Sequence, residues 1–537
     1  MALSSSSIKG ETMRDFQQPG RSAVFAVNGI CATSHPLAAK VAVQILEAGG
    51  NAMDAAIAGA VLLGICEPQS AGIGGDAFCL FNLAGSDDVH ALNASGRAPA
   101  GLDAAKLRAD GLDHLPISSV HAISLPGAMD GFIRLAKDHG KIGLKAILAP
   151  AIHYADAGVP VAPRVAFDYA RSGGTLRGAG RTHFMLQDKA LSLGQKFRAS
   201  GQADVLRRVA MDGRAGFYEG EVAQDMVASL NAAGGTHSLD DFANVRSDYT
   251  TPISGAYKDI ELVEHPPNGQ GATAILMLNI LKHFDIAGLD PLGTQRAHLE
   301  AEAAKLAYDT LNRVVADPDH TARLEHMLSA DTAAKLAGLI DPNTALPSSL
   351  PSAQAVHKDT VYITVVDKDR MCVSLIYSIF EAFGSGLASD KFGILFHNRA
   401  AGFTLEQGHP NEAMGNKRPL HTIIPGMVKR AGKIEMPFGV MGGAYQPCGH
   451  ARLLTNMQDF GMDVQTAIDA PRCFAEHGGL TVETGYADSV AQALADKGHI
   501  VKRATKPIGG AQAIVLRDDG VLEGASDPRK DGIALGY

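Results

Sequence analysis

The chain has 537 residues, 46% of them hydrophobic and 20% charged, enough apolar material for a sizeable core in one large domain or two closely joined ones. Its 48 basic residues against 57 acidic ones give a net charge of −9, which speaks against a nucleic-acid-binding surface, since that needs a basic patch. Six cysteines, at positions 31, 66, 79, 372, 448 and 473, form no CxxC pair and match neither zinc nor disulfide spacing. They read as buried thiols in a reducing compartment, with no metal and no cofactor.

Residues 1–22 are polar, lack an apolar core of signal-peptide length, and read as disordered. A strand and turn at 22–34 lead into a helix at 35–50 that Gly49 and Gly50 stop. The next stretch, "AMDAAIAGAVLLGIC" (52–66), follows an asparagine cap and carries Asp54, so it reads as a buried helix rather than a membrane span. A cytoplasmic protein, with no membrane partner, is expected. The glycine-rich "AGIGG" (71–75) is not followed by a helix, which makes a dinucleotide site a poor reading. Paired strands are expected within 76–95, with Asp54 and Asp76 as caps or turn residues.

Residues 100–350 show helical spacing of apolar residues, interrupted by strand-like character at 252–267. Residues 341–358 are rich in Pro, Ser and Ala and read as a linker. Strands follow at 360–366, 371–378, 421–430 and 434–440, then helices at 449–459 and 464–468. Helices followed by strands, with further strands at the start, predict two sheets sandwiched together with helices outside.

The linker runs straight into "TVYITVVD" (360–367), a clean strand that opens on a threonine. With a turn at 367–370, Val366 is expected to face Met371. That register sets Thr360 against Tyr377, with Ser378 one residue on. A threonine hydroxyl needs a base to remove its proton. Were the bond before Thr360 cut, its free α-amine, with a pKa near about 8, would be that base. From these residues alone, an ordinary strand threonine remains the simpler reading. A second feature is "GVMGGAYQPCGH" (439–450), where Gly442 and Gly443 stand between a strand and a helix and could offer bare N–H groups to an oxyanion.

Taken in order, "ATSHPLAAKVAVQILEAGGNAMDAAIA", "AGIGGDAF", "SLPGAMDGF", "PPNGQGATAILMLNIL", "DTVYITVVDKD", "GNKRPLHTIIPGM", "GVMGGAYQ" and "GASDPRKDGIALGY" make the chain resemble the gamma-glutamyltranspeptidase family of N-terminal nucleophile hydrolases. The resemblance runs from about residue 25 to 537 and is similar to a divergent branch that includes an oxamate amidohydrolase and cephalosporin acylases. It implies an α+β fold, a four-layer αββα sandwich made as a proenzyme. Self-cleavage before Thr360 would give a large subunit (23–359) and a small one (360–537), intertwined in one domain, and leaves open a dimer of such pairs. It further implies Thr360 as nucleophile, Gly442 and Gly443 as the oxyanion hole, and Ser378 as the supporting hydroxyl.

The chain departs from the family pattern where a γ-glutamyl group would be held. The family's carboxylate-gripping arginine is replaced by Ser95, with Arg97 two residues later. A serine pair is replaced by His421 and Thr422, an acidic residue by Gly402, a glutamine by Arg399 and an asparagine by Phe380. Charge-assisted hydrogen bonds contribute roughly 1.5–3 kcal/mol each, so losing the arginine and the acid disfavours glutathione. The expectation is hydrolysis of a small anionic amide without an α-ammonium, such as oxamate, with Arg399 taking the anion. Arg97, His421 and Thr422 are the other candidate substrate contacts. A short segment between Phe403 and Asn416 is expected to favour water over a second amine. The alternatives are a γ-glutamyl hydrolase or transferase with contacts moved to Arg97 and Glu381, and an uncut, non-enzymatic binding relative.

Overall fold

The computed structural model describes residues 20–347, 360–476 and 478–537. The expected disorder of the N-terminus up to residue 19 and the linker with its cleavage junction, 348–359, lie outside the described residues.

Two seven-stranded antiparallel sheets form the centre. The first runs, in spatial order, Ile533–Gly536, Ile30–Thr33, Val361–Val366, Cys372–Ser378, Asp76–Asn82, Val89–Ala94 and Asp248–Thr250. The second runs Val24–Ala26, Leu522–Ser526, Gly510–Leu516, Lys433–Met441, Pro425–Arg430, Ile260–Glu264 and Ile253–Tyr257. Strands from before and after the expected cut therefore share each sheet. The two segments cannot be separate domains, because neither completes a sheet alone.

Side-chain alternation along the strands divides the core into layers. Ile30, Ala32, Leu80, Val366 and Cys372 of the first sheet meet Val263, Met427, Ile514 and Leu522 of the second. The opposite face of the first sheet, with Val361, Ile363, Val365, Val373 and Leu375, packs on the helices Pro36–Glu47, Ala52–Cys66, Ala128–His139 and Leu144–Ala157. The outer face of the second, with Leu262, Val428, Phe438 and Val440, packs on Gly271–Leu281, Thr294–Val314 and Gln446–Phe460. This is the expected αββα order.

Every residue of the Ala52–Cys66 helix is buried, which explains its lack of a polar stripe. Asn51 and Asp54 form a reciprocal capping box, each side chain accepting the other's backbone N–H at 3.0 Å. Asp54 is thus a cap, as expected. Among the described residues no helix is long and apolar enough to cross a membrane. All six cysteines are buried and unbridged.

The Thr360 hairpin differs from expectation by one residue. Val366 pairs with Cys372, not Met371. Asp367 closes the longer turn by accepting N–H bonds from Asp369 (2.9 Å) and Met371 (3.1 Å), and Arg370 takes a left-handed φ of 64°. Val361 consequently pairs with Tyr377, and the next step of the ladder sets Thr360 against Ser378 rather than Tyr377. Opposed residues point to the same face, so the corrected register brings the two hydroxyls closer than the sequence reading did.

Candidate active site

Three adjacent strands place Thr360, Ser378 and Asp76 in one row. Ser378 pairs with Asp76 in the ladder, and Thr360 precedes the strand on the other side of Ser378. Thr360 is buried, and its Oγ1 donates to Ser378 Oγ at 3.4 Å. The Phe380 amide donates to the same Ser378 oxygen at 2.8 Å. That bond orients the serine hydroxyl toward the head of the threonine strand.

The second sheet delivers the glycine turn to the same end. Ser374, opposite Thr364, donates to the Phe438 carbonyl at 3.1 Å. One residue on, a Cβ at Gly439 would lie 2.4 Å from the Tyr362 ring, and Met441 packs in one cluster with Tyr362. Moving from Phe438 to Met441 thus tracks from Thr364 toward Thr360, and Gly442 and Gly443 come next. Their φ values, 124° and 57°, lie where glycine is favoured, and a Cβ on Gly442 would sit 2.9 Å from Gly509 Cα. Gly443 opens a short helical turn that continues into Gln446–Phe460. The first N–H groups of a helix have no intrahelical acceptor and carry partial positive charge, so the turn is suited to an oxyanion. Gln270 Nε2 donates to the carbonyls of Gly443 (2.9 Å) and Thr422 (2.5 Å), tying the turn to the His421–Thr422 segment.

Behind the hydroxyl row lies a buried charge cluster centred on Asp76. Arg399 Nε and Nη2 donate to its two oxygens at 3.2 Å each. His421 Nε2 donates to Oδ2 at 2.6 Å, and His397 Nδ1 lies 3.4 Å from the same oxygen. Arg399 Nη1 also donates to Thr422 Oγ1 at 3.0 Å, and the guanidinium lies 4.2 Å from the Phe380 ring centroid. All four charged or titratable side chains are fully enclosed. Burial pushes the Asp76 carboxyl up, but Arg399, then His421 and His397, outweigh it and hold it well below the usual carboxylate range. Burial, and next the Arg399 cation, push His421 down to about 3. His421 Nδ1 accepts the Ile423 N–H at 3.2 Å. The ring is therefore the neutral Nε2–H tautomer.

The sequence-derived candidates divide accordingly. Thr360, Ser378, Gly442, Gly443, Arg399, His421 and Thr422 converge. Arg97 does not: it reaches Asp317 Oδ2 (3.3 Å) and the Asn416 carbonyl (3.0 Å) and lines a separate cavity with Asp248, Tyr249 and Pro318. Arg399 is fully enclosed, and its ion-pair partner is Asp76. Gly402 has no room for an acid, since a Cβ there would lie 2.5 Å from the Leu420 carbonyl oxygen. The reading of Asp76 as a cap or turn residue is corrected: it starts a fully buried strand and anchors the cluster. Asp76, His397 and Gln270 were missed as site residues. The available signals were a single charge opening the otherwise uncharged strand "DAFCLFN" and a glutamine inside "PPNGQG".

The family model described as gamma-glutamyltranspeptidase matches residues 38–537. A glutathione hydrolase-like proenzyme of Bacillus subtilis (strain 168), YwrD, is 34% identical over 526 residues, covering 96% of this chain and 99% of that protein. An oxamate amidohydrolase proenzyme of Klebsiella pneumoniae is 31% identical over 532 residues, covering 95% and 99%. Among solved structures, a cephalosporin acylase from Bacillus halodurans superposes with a TM-score of 0.90 at 36% identity, covering 99% of each chain.

Proposed function

The chain belongs to the gamma-glutamyltranspeptidase family and is a hydrolase of the N-terminal nucleophile type, and on that premise we propose that it is a self-processing amidohydrolase with Thr360 as nucleophile. The observation that carries this reading is the row Thr360–Ser378, with a glycine turn at its head.

Processing starts with Thr360 Oγ1 attacking the carbonyl carbon of Asp359. The peptide C–N bond breaks, the Thr360 nitrogen takes the proton, and an ester joins Asp359 to the threonine oxygen. Water hydrolyses the ester and leaves a free α-amine on Thr360. In the mature enzyme that amine accepts the hydroxyl proton as Oγ1 attacks the substrate amide. The Gly442 and Gly443 N–H groups hold the oxyanion. The amine then delivers its proton to the leaving nitrogen, and water attacks the acyl-enzyme to regenerate Thr360. Ser378 positions the nucleophile through the 3.4 Å contact.

The substrate we propose is a small amide whose acyl group lacks the γ-glutamyl ammonium; the expectation of an anionic acyl group such as oxamate loses support, because Asp76 already fills the Arg399 fork. Gly402 supplies no acid for an ammonium, and Arg97 points elsewhere. Thr422 and the N–H groups of Arg399 left over from Asp76 are the polar contacts for the acyl group, while His421, with both ring nitrogens engaged by Asp76 and the Ile423 N–H, contributes shape. With Asp76 in its fork, Arg399 adds hydrogen-bond donors rather than a net positive charge. Mass spectrometry and N-terminal sequencing test the processing step, with a small chain starting at Thr360 expected and a single intact chain in active protein overturning it. Ammonia and amine release from oxamate, dicarboxylic monoamides and glutathione tests the substrate. Efficient glutathione hydrolysis would favour the γ-glutamyl alternative.

A further inference from the structure

Asp76 occupies the position a substrate carboxylate would take on Arg399. Both of its oxygens are engaged by the guanidinium at 3.2 Å, the geometry of a bidentate ligand. The same carboxylate fixes His421 at 2.6 Å, and Arg399 in turn holds Thr422 at 3.0 Å. One resident anion thus orients Arg399 and His421 directly and Thr422 through Arg399. It sits one strand from Ser378 and two from the nucleophile strand.

We infer that Asp76 is a specificity-determining residue: it is a built-in counter-anion that fills the Arg399 fork, so that the acyl pocket accepts an uncharged, hydrogen-bonding acyl group in preference to one bearing a carboxylate. The physical reason is charge balance. His421 is neutral by its tautomer, and Arg399, which engages both Asp76 oxygens while His397 stands off at 3.4 Å, is the cation that balances Asp76. A second carboxylate entering this enclosed space gains hydrogen bonds from Arg399 but meets the Asp76 charge behind them. A carboxamide can use the same donors with no charge to desolvate. The inference rests on the Thr360 reading for its kinetic arm only.

The kinetic arm compares oxamate with oxamide, which share size and shape and differ by one carboxylate. The wild-type enzyme should show the higher kcat/KM for oxamide. Asp76→Asn keeps an acceptor oxygen but removes the charge, and should move the oxamate-to-oxamide ratio about tenfold or more toward oxamate. A general loss of folding would lower both substrates together and leave the ratio alone. An unchanged ratio in a self-cleaved, folded Asp76→Asn enzyme overturns the inference, as does a wild-type preference for oxamate. Should Asp76→Asn not accumulate, the formate measurement that follows, which needs no turnover, decides the inference.

The second arm needs no turnover. In full-length Thr360→Ala protein, Asp76→Ala opens a carboxylate-sized space beside an uncompensated Arg399. Formate should raise the melting temperature of that double variant by several degrees more than that of Thr360→Ala alone, and formamide should not. Equal shifts with formate overturn the inference. Absence of cleavage and of all amide hydrolysis in the wild type, with formate rescue intact, would instead sink the Thr360 reading and leave the Asp76 assignment standing.

Discussion

Thr360 and Ser378 come from neighbouring strands of one hairpin, 18 residues apart in sequence, and touch through two uncharged hydroxyls. Asp76 and its partners are 323 residues apart in the Arg399 pair and 345 in the His421 pair, and meet as enclosed charges. The first pair is set by local geometry: once Asp367 closes its turn, the register follows. The second exists only after segments from both ends of the chain have assembled around it. The hydroxyl row can therefore lose a member without leaving a buried charge behind, whereas the charged cluster cannot. Perturbing the row should alter chemistry and spare stability. Perturbing the cluster should do the reverse, or both.

The sharpest break of that contrast is Thr360→Ala. It should abolish self-cleavage and amide hydrolysis altogether, giving one band on a denaturing gel. The urea midpoint should stay near that of uncut wild-type protein. A large fall in the midpoint would mean that the hydroxyl row is structural after all. Next is Ser378→Ala, expected to slow self-cleavage by about 10²–10⁴-fold, the range for a positioned proton-transfer or hydrogen-bonding group. The time course of the small chain's appearance measures it, and cleavage at wild-type speed would remove Ser378 from the mechanism.

On the cluster side, Arg399→Gln strands Asp76 without its cation in an enclosed site. Breaking one partner of a buried pair costs about 3–5 kcal/mol, so urea denaturation should register a loss on that scale. Removing both charges, in Asp76→Asn/Arg399→Gln, should cost less. Equal losses would show that the two residues do not act as a pair.

Acid should reveal the same asymmetry. His421 titrates near 3 when folded and near about 6.5 when unfolded, so the unfolded chain binds the proton first. Stability is then full above the unfolded value and falls as pH drops from about 6.5 toward 3. Asp76, held low by Arg399, works in the same direction below about 4. His421→Gln should remove about 2–3 kcal/mol of the stability change between pH 6.5 and 4.5. Denaturation at both pH values reads it, and an unchanged slope would mean that the histidine is already protonated in the fold.

Much of the layered architecture was legible because its signals are local. The strand alternation in "TVYITVVD", the 52–66 helix, apolar but for its capping Asp54, and the glycines at 442–443 each carry a period or a backbone requirement that any reader of the chain can see. The hairpin register was off by one because the turn length depends on how Asp367 folds its side chain back on the amides of Asp369 and Met371, and composition alone does not state that.

By itself, then, the sequence determined the strand and helix types and the position of the threonine at the head of a core strand. Only the tertiary structure decided what Arg399 faces. An arginine in a sequence is a free cation until the fold supplies its neighbour, and here the neighbour is a carboxylate brought from 323 residues away. The physical reason is that a buried charge has to be matched within a few ångströms, and no spacing in a linear chain encodes a contact between the head of a core strand and a distant connecting segment.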